Sequence, residues 1–202
     1  MLRMWSFFEQ KSVSSAKNGK IVVVSLFGRV SLFVNGFHQS SGYIQTMWRR
    51  ALRHVPRKFR AKRVLMLGLG GGSAVHELQR RYRNCAITVV EWDPEMIALY
   101  HQLHPKNAPI RILESDATVI VPALTEQFDL VIVDLFKGNE TPKELGDHPM
   151  VEAISRCVAP GGYCLLNAFV SLNLPEVFDT HFKRVGTWKY QFNTLLLYCN
   201  RI

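Results

Sequence analysis

The residues of this chain best suited to chemistry stand at the ends of apolar runs. Gly68, Gly70 and Gly72 lie between VLML and SAVHEL, so a strand passes into a helix through a glycine-rich turn. Gly68 makes the tight turn. Gly70 and Gly72 let a ligand approach bare backbone, close to the free N–H groups and positive dipole end of a helix starting near Ser73. Glu91, 23 residues after Gly68, ends the next apolar run, where a carboxylate can accept both hydroxyls of a ribose. Asp116 follows a third run, and Asp134 closes a fourth, VIVD. The pattern points to a nucleotide-type ligand with a proton-accepting carboxylate beside it.

Each acid also has a local reading. Asp93 precedes Pro94 and reads as a helix N-cap, and Asp116 could cap the helix that follows it. Asp134 fits a local role less well. It closes an apolar strand at the position where open α/β sheets bind ligands.

For these residues to converge, the elements must alternate. Strands are expected at 63–68, 86–91, 110–114, 128–134 and 162–169, and helices at 73–82, 94–103, 117–124, 147–158 and 174–183. The strands are continuously apolar, as in a parallel sheet covered on both faces. Residues 184–192 and 194–200 adjoin around Asn193 with no room for a crossover helix, so they must pair antiparallel. Upstream, residues 20–35 read as a β-hairpin turning at Gly28, and Asn35-Gly36 as another turn. Residues 42–55 have helical periodicity, with Ile44, Met47, Trp48, Ala51 and Leu52 on one side, and Pro56 ends them. The expectation is an α/β protein with a Rossmann-like, doubly wound sheet. The closing antiparallel hairpin is the topology of class I adenosylmethionine-dependent transferases. A segment with the β-hairpin and helix (1–56) would precede the nucleotide-binding domain (57–202).

Composition agrees with a globular protein: 202 residues, 48% hydrophobic, net charge +9. No apolar run nears the roughly 20 residues of a membrane helix, and the first 20 residues lack a signal-peptide core, so a cytoplasmic protein is expected. The four cysteines form no CxxC pair, which predicts buried, reduced thiols and no metal site. Residues 49–63 hold eight Lys/Arg and no acid. Such a run can bind nucleic acid or simply be a solvated helix end. It leads into the start of the first sheet strand, opposite the glycine turn.

With these motifs in view, the chain resembles the spermidine synthase family, aminopropyltransferases built on the class I methyltransferase fold, from about residue 20 onward. VNGFHQ (34–39) resembles the family's leucine-Asp-Gly-x-x-Gln segment, with Asn35 for Asp and Gln39 in register. Met66 stands where many methyltransferases carry an acid. Glu91-Trp92-Asp93, Asp116-Ala117, Asp134 and Pro160-Gly161 match the family's remaining motifs. The resemblance implies S-adenosylmethionine or its decarboxylated form as co-substrate, with no metal. It implies that Glu91, with Trp92 beside it, holds the ribose. Asp116 and Ala117 would meet the adenine, and the Gly68–Gly72 loop the remaining ligand backbone-on. Asp134 would be the proton acceptor for a small-molecule acceptor. Gln39 and Tyr43 would cover the site, and a homodimer is implied.

The departures fall on the acceptor side. Spermidine synthases carry Asp where this chain has Gly71, and a second Asp where it has Lys137. Their Tyr-His-Glu becomes Tyr43-Ile44-Gln45. Putrescine is a dication, and its pocket needs carboxylates to replace its hydration. If Lys137 points inward, a diamine is disfavoured. If it snorkels to solvent, it is neutral in effect. Methyl transfer to a non-polyamine fits these changes, whereas aminopropyl transfer fits the retained Asp134. The expectation leans to a divergent member that does not make spermidine. Another class remains open: a non-catalytic module binding RNA or an acidic partner through Arg49–Arg63. A nicotinamide oxidoreductase rests on the glycine loop alone.

Overall fold

The structure, a computed structural model, describes residues 8–105, 108–137, 140–169 and 174–200. The alternating apolar runs form a seven-stranded sheet. Its strands are β5 (Arg63–Leu67), β6 (Ala86–Glu91), β7 (Arg111–Glu114), β8 (Phe128–Val133), β9 (Val158–Phe169), β10 (Phe182–Tyr190) and β11 (Asn193–Asn200), in the order β10-β11-β9-β8-β5-β6-β7. β5 pairs in parallel with both β6 and β8, while β11 runs antiparallel to its neighbours β9 and β10. The chain winds outward from β5 to β7, then returns to β8 on the other side. The crevice between β5 and β8 is therefore the topological switch point.

Helices α2 (Ser73–Arg81), α3 (Pro94–Leu103), α4 (Ala117–Ile120, continued by one 3-10 turn), α5 (His148–Cys157) and α6 (Leu174–His181) connect the strands. Two apolar cores, one on each face, bury the sheet. One gathers Leu65, Val131, Val151, Phe178 and Phe182, and the other Met66, Val75, Val89, Ile132 and Leu197. Helix α1 (Gly42–His54) joins the second core through Met47, Trp48, Ala51 and Leu52. Ser41 caps α1, its hydroxyl accepting from Ile44 N.

Ahead of α1 the expected hairpin is there, as β2 (Gly19–Leu26) and β3 (Arg29–Val34), but it has company. β1 (Phe8–Ser15) and β4 (Phe37–Ser40) flank it in a four-stranded antiparallel sheet. Ser15 and Asn18 both donate to Asp93 Oδ2 at 2.6 Å, tying the β1–β2 turn to the end of β6. Three expectations are adjusted. The last hairpin turns at Gln191-Phe192, and Asn193 already belongs to β11. β9 starts at Val158, and a register shift between Phe128 and Leu130 on β8 accommodates the Pro160-Gly161 stretch. Cys157 and Cys164 are buried as expected, but Cys85 and Cys199 are half-buried. No helix of the described residues is long and apolar enough to cross a membrane.

Candidate active site

A cavity of about 670 Å³ opens at the carboxyl ends of the parallel strands, within the usual size range of small-molecule pockets. Its walls include Gly68, Gly70, Glu91, Trp92, Asp116, Ala117, Asp134, Lys137, Gln39 and Tyr43. Ten of the eleven residues singled out from sequence thus meet in one place. The eleventh, Gly72, does not line the cavity. It begins α2 with φ of 84°, and a Cβ there would lie 2.6 Å from the Tyr100 ring, so its role in the structure is packing.

Gly68 is demanded by the backbone. It sits at φ 90°, and a Cβ would fall 2.2 Å from the Asp134 carbonyl oxygen. Its N–H donates to Val90 O at 2.8 Å, while Asp134 N donates to Leu67 O at 2.9 Å. The loop therefore holds β6 and β8 in register with β5 at the point where their acids emerge.

Glu91 is buried under this loop. Oε2 accepts from Leu69 N at 2.9 Å, and Oε1 from Trp92 N at 2.9 Å and Asp93 N at 3.0 Å. Burial raises its pKa above the ordinary value, and the three backbone N–H groups oppose that rise without cancelling it. Asp93 caps α3, accepting from Glu95 N, as its place before Pro94 suggests. Asp116 is both cap and wall. Its Oδ1 accepts from Thr118 N and Thr118 Oγ1 at 2.8 Å, and the residue lines the cavity.

Asp134 differs from Glu91. It is set deep beyond the end of β8 and accepts 2.8 Å from Asn167 Nδ2. Burial is the main cause that raises its carboxyl from 3.8 to about 6. The Asn167 amide opposes the rise, and the nearby Glu91 charge adds to it. A carboxylate poised near neutrality suits a general base. Sequence reasoning passed over Asn167. The residue is buried and lines the cavity, and its Oδ1 has no partner among the described residues. Its type carries little signal. Only the pairing of β9 with β8 and β11 shows where it points.

Lys137 is exposed and on the cavity side, with Nζ 5.7 Å from the centroid of the Trp92 ring. Lys17, from the β1–β2 turn, places its Nζ 5.3 Å from the same ring. Lys137 also exchanges backbone hydrogen bonds with Glu140. The expectation that this side had lost its carboxylates needs correcting. Glu140 and Glu144 line the cavity too, together with Lys143. They are exposed at the rim, so the rim has balanced charge, while Glu91 is buried and Asp134 half-buried at the strand ends.

Gly71 also needs a new reading. A Cβ there would lie 2.2 Å from Ser40 Cβ, and Gly71 N donates to the Gln39 carbonyl at 3.5 Å. The glycine admits β4 against the loop and does not line the cavity. Its contrast with the family's Asp is explained by packing, before any question of acceptor charge. The basic run is partly used within the protein. Arg49 pairs with Glu77, and Arg63 with Glu126 and lies over Phe128. None of its eight Lys/Arg lines the cavity. Among the described residues, no three His, Cys, Asp or Glu gather as a metal site.

Comparison with known proteins fits this geometry. Residues 64–162, from β5 into the start of the described β9, match the model of a methyltransferase domain. The polyamine aminopropyltransferase of Escherichia coli is 26% identical over 167 residues, covering 78% of this chain. The chain is thus similar to aminopropyltransferases, and about half of it matches a methyltransferase domain. It matches 58% of the length of that curated relative. Among solved structures, a spermidine synthase in complex with the transition-state analogue AdoDATO superposes with a TM-score of 0.71. It is 12% identical, covering 94% of this chain and 72% of that one. The N-methyltransferase NodS of Bradyrhizobium japonicum, in complex with S-adenosyl-L-homocysteine, gives 0.66 at 15% identity, covering 80% and 89%. These likenesses establish the fold of the chain.

Proposed function

We propose that this protein is a transferase using a sulfonium nucleotide as co-substrate. One observation carries the reading: the glycine turn, Glu91, Asp116 and Asp134, from four different strand ends, line a single cavity. A nucleoside fits this donor set. Gly68 and Gly70 offer bare backbone, Glu91 a fixed carboxylate for the ribose, and Asp116 a carboxylate at the wall for the adenine amine.

Methyl transfer from S-adenosylmethionine to an acceptor other than a diamine fits the remaining residues best. The deep site offers one titratable carboxylate, Asp134, and the Lys137 ammonium stands at the cavity wall. A dication entering there would meet the Lys137 and Lys143 ammonium groups beside the Glu140 and Glu144 carboxylates, so the rim offers it no net compensating charge. As the acceptor's nucleophilic atom bonds to the methyl carbon, the carbon–sulfur bond breaks and sulfur keeps its electron pair. The proton lost by the nucleophile passes to Asp134. Aminopropyl transfer remains the second reading, favoured by the aminopropyltransferase relative and by an acid at Asp134.

Calorimetric titration with S-adenosylmethionine, its decarboxylated form and methylthioadenosine tests the first reading. We expect at least one to bind below millimolar concentration, and no binding of any to folded protein would sink it. Product analysis with putrescine and decarboxylated S-adenosylmethionine tests the finer one. We expect no spermidine, and its robust formation would overturn methyl transfer to a non-diamine.

A further inference from the structure

Two large aromatic side chains stand where their burial cannot serve the core. Phe37 is 43% exposed and Phe192 69% exposed, yet both line the cavity. They come from opposite ends of the chain, each at a turn with left-handed residues. Asn35 and Gly36 lie at φ 50° and 83°, and Gln191 at φ 52°. Phe192 holds a turn position that ordinarily carries a small polar residue, and Phe37 follows such a turn as the first residue of β4.

Both turns are fastened to the site. After Phe37, the chain continues through His38, whose ring meets Phe33 at 4.4 Å, to Gln39, whose carbonyl accepts from Gly71 in the glycine turn. Before Phe192, Tyr190 stacks on Tyr43 with centroids 5.3 Å apart, and its carbonyl accepts from the Tyr43 hydroxyl. After Phe192, Asn193 Nδ2 donates to the same hydroxyl. The two phenyl groups are thus mounted on braced turns of the N-terminal sheet and the C-terminal hairpin.

We propose that Phe37 and Phe192 clamp the acceptor, and that the acceptor carries a planar aromatic ring. The inference rests on the transferase reading above and names its acceptor class. Aromatic side chains recognise planar rings by offset or edge-on packing, and they present large contact area with few rotors to freeze. The rings line the cavity wall itself, which makes a small molecule the occupant.

The experiment uses the full chain saturated with methylthioadenosine. It is titrated calorimetrically with 3-phenylpropionate, 3-cyclohexylpropionate and putrescine as probes. We expect the phenyl probe to bind about fivefold tighter than the cyclohexyl probe, and putrescine to bind weakest. Phe37→Ser and Phe192→Ser should each weaken the phenyl probe about tenfold while leaving methylthioadenosine affinity unchanged, which also shows that the variants fold. Equal binding of the two ring probes, binding of neither while methylthioadenosine binds, or indifference to both substitutions would overturn the clamp. Failure of methylthioadenosine to bind the wild type would remove the transferase reading and the clamp with it.

Discussion

Glu91 and Asp134 are carboxylates at the ends of the two strands that flank β5, and both face one cavity. Their surroundings differ in the number of donors. Glu91 receives three backbone N–H groups, and Asp134 receives one side-chain amide. Backbone donors cannot rotate away, so they oppose the rise that burial imposes on the Glu91 pKa, which stays above its ordinary value. Asp134, with the same burial problem and one donor, is lifted to about 6. The pair shows how one sheet edge can hold one carboxylate in a fixed cradle of donors and leave another with a single amide. The difference comes from the chain path: after β6 the peptide curls back over its own terminal acid, whereas after β8 it runs on towards Lys137.

The sharpest way to break this comparison is Asp134→Asn. We expect the transfer rate to fall about 10²- to 10⁴-fold, the usual contribution of a positioned base, with nucleotide affinity little changed. Single-turnover kinetics beside calorimetry would separate the two. A variant that keeps its rate would move the base elsewhere.

The same substitution should stabilise the fold. In the folded state Asp134 binds its proton more tightly than the unfolded value of 3.8 allows. The stability it contributes is therefore present below about pH 4 and lost as the pH rises through about 6. Asp134→Asn should gain up to about 3 kcal/mol over wild type at pH 7.5, with the gap closing at pH 4. Denaturant melts at the two pH values would read it.

Glu91→Gln tests the other half. The Gln amide turns an N–H towards at least one backbone donor, which we expect to cost about 1–3 kcal/mol of stability and at least about tenfold in methylthioadenosine affinity. Thermal melts and calorimetry would show both, and a neutral outcome would mean that the three N–H groups do not need the charge. The smallest effect should come from Asn167→Ala. Losing the amide that favours the charged form should raise the Asp134 pKa, moving the acid limb of the kcat/KM profile to higher pH by up to about one unit. A limb that stays in place, or moves to lower pH, would place the titrating group elsewhere.

Much of the fold was legible because the apolar runs are long and unbroken. β5, β6 and β8 start and end within a residue of their expected limits. The acids at their ends were legible for the same reason, since a charged residue closing an apolar strand of a parallel sheet emerges at the edge where ligands bind. β1 and β4 were not. FEQKSVSS is mostly polar, and FHQS is four residues long. Their strand character comes from pairing with the β-branched hairpin between them. Asn167 and Gly71 were hidden by distance along the chain. The first matters because it faces Asp134, 33 residues earlier, and the second because Ser40 presses on it, 31 residues earlier. Phe37 and Phe192 carry no signal in sequence, because only the meeting of the two ends of the chain places both on one cavity.

Trp92 gives the protein an optical reporter of its own. Of the other described tryptophans, Trp48 is buried in the core beside α1, and Trp188 is stacked on His54. Trp92 alone of these three lines the cavity, with two ammonium groups near its ring. A ligand that enters must displace water from the indole or shift those cations, and either event alters its emission. Filling of the site can then be followed by light in the unlabelled chain, at stopped-flow speed, before any acceptor is known.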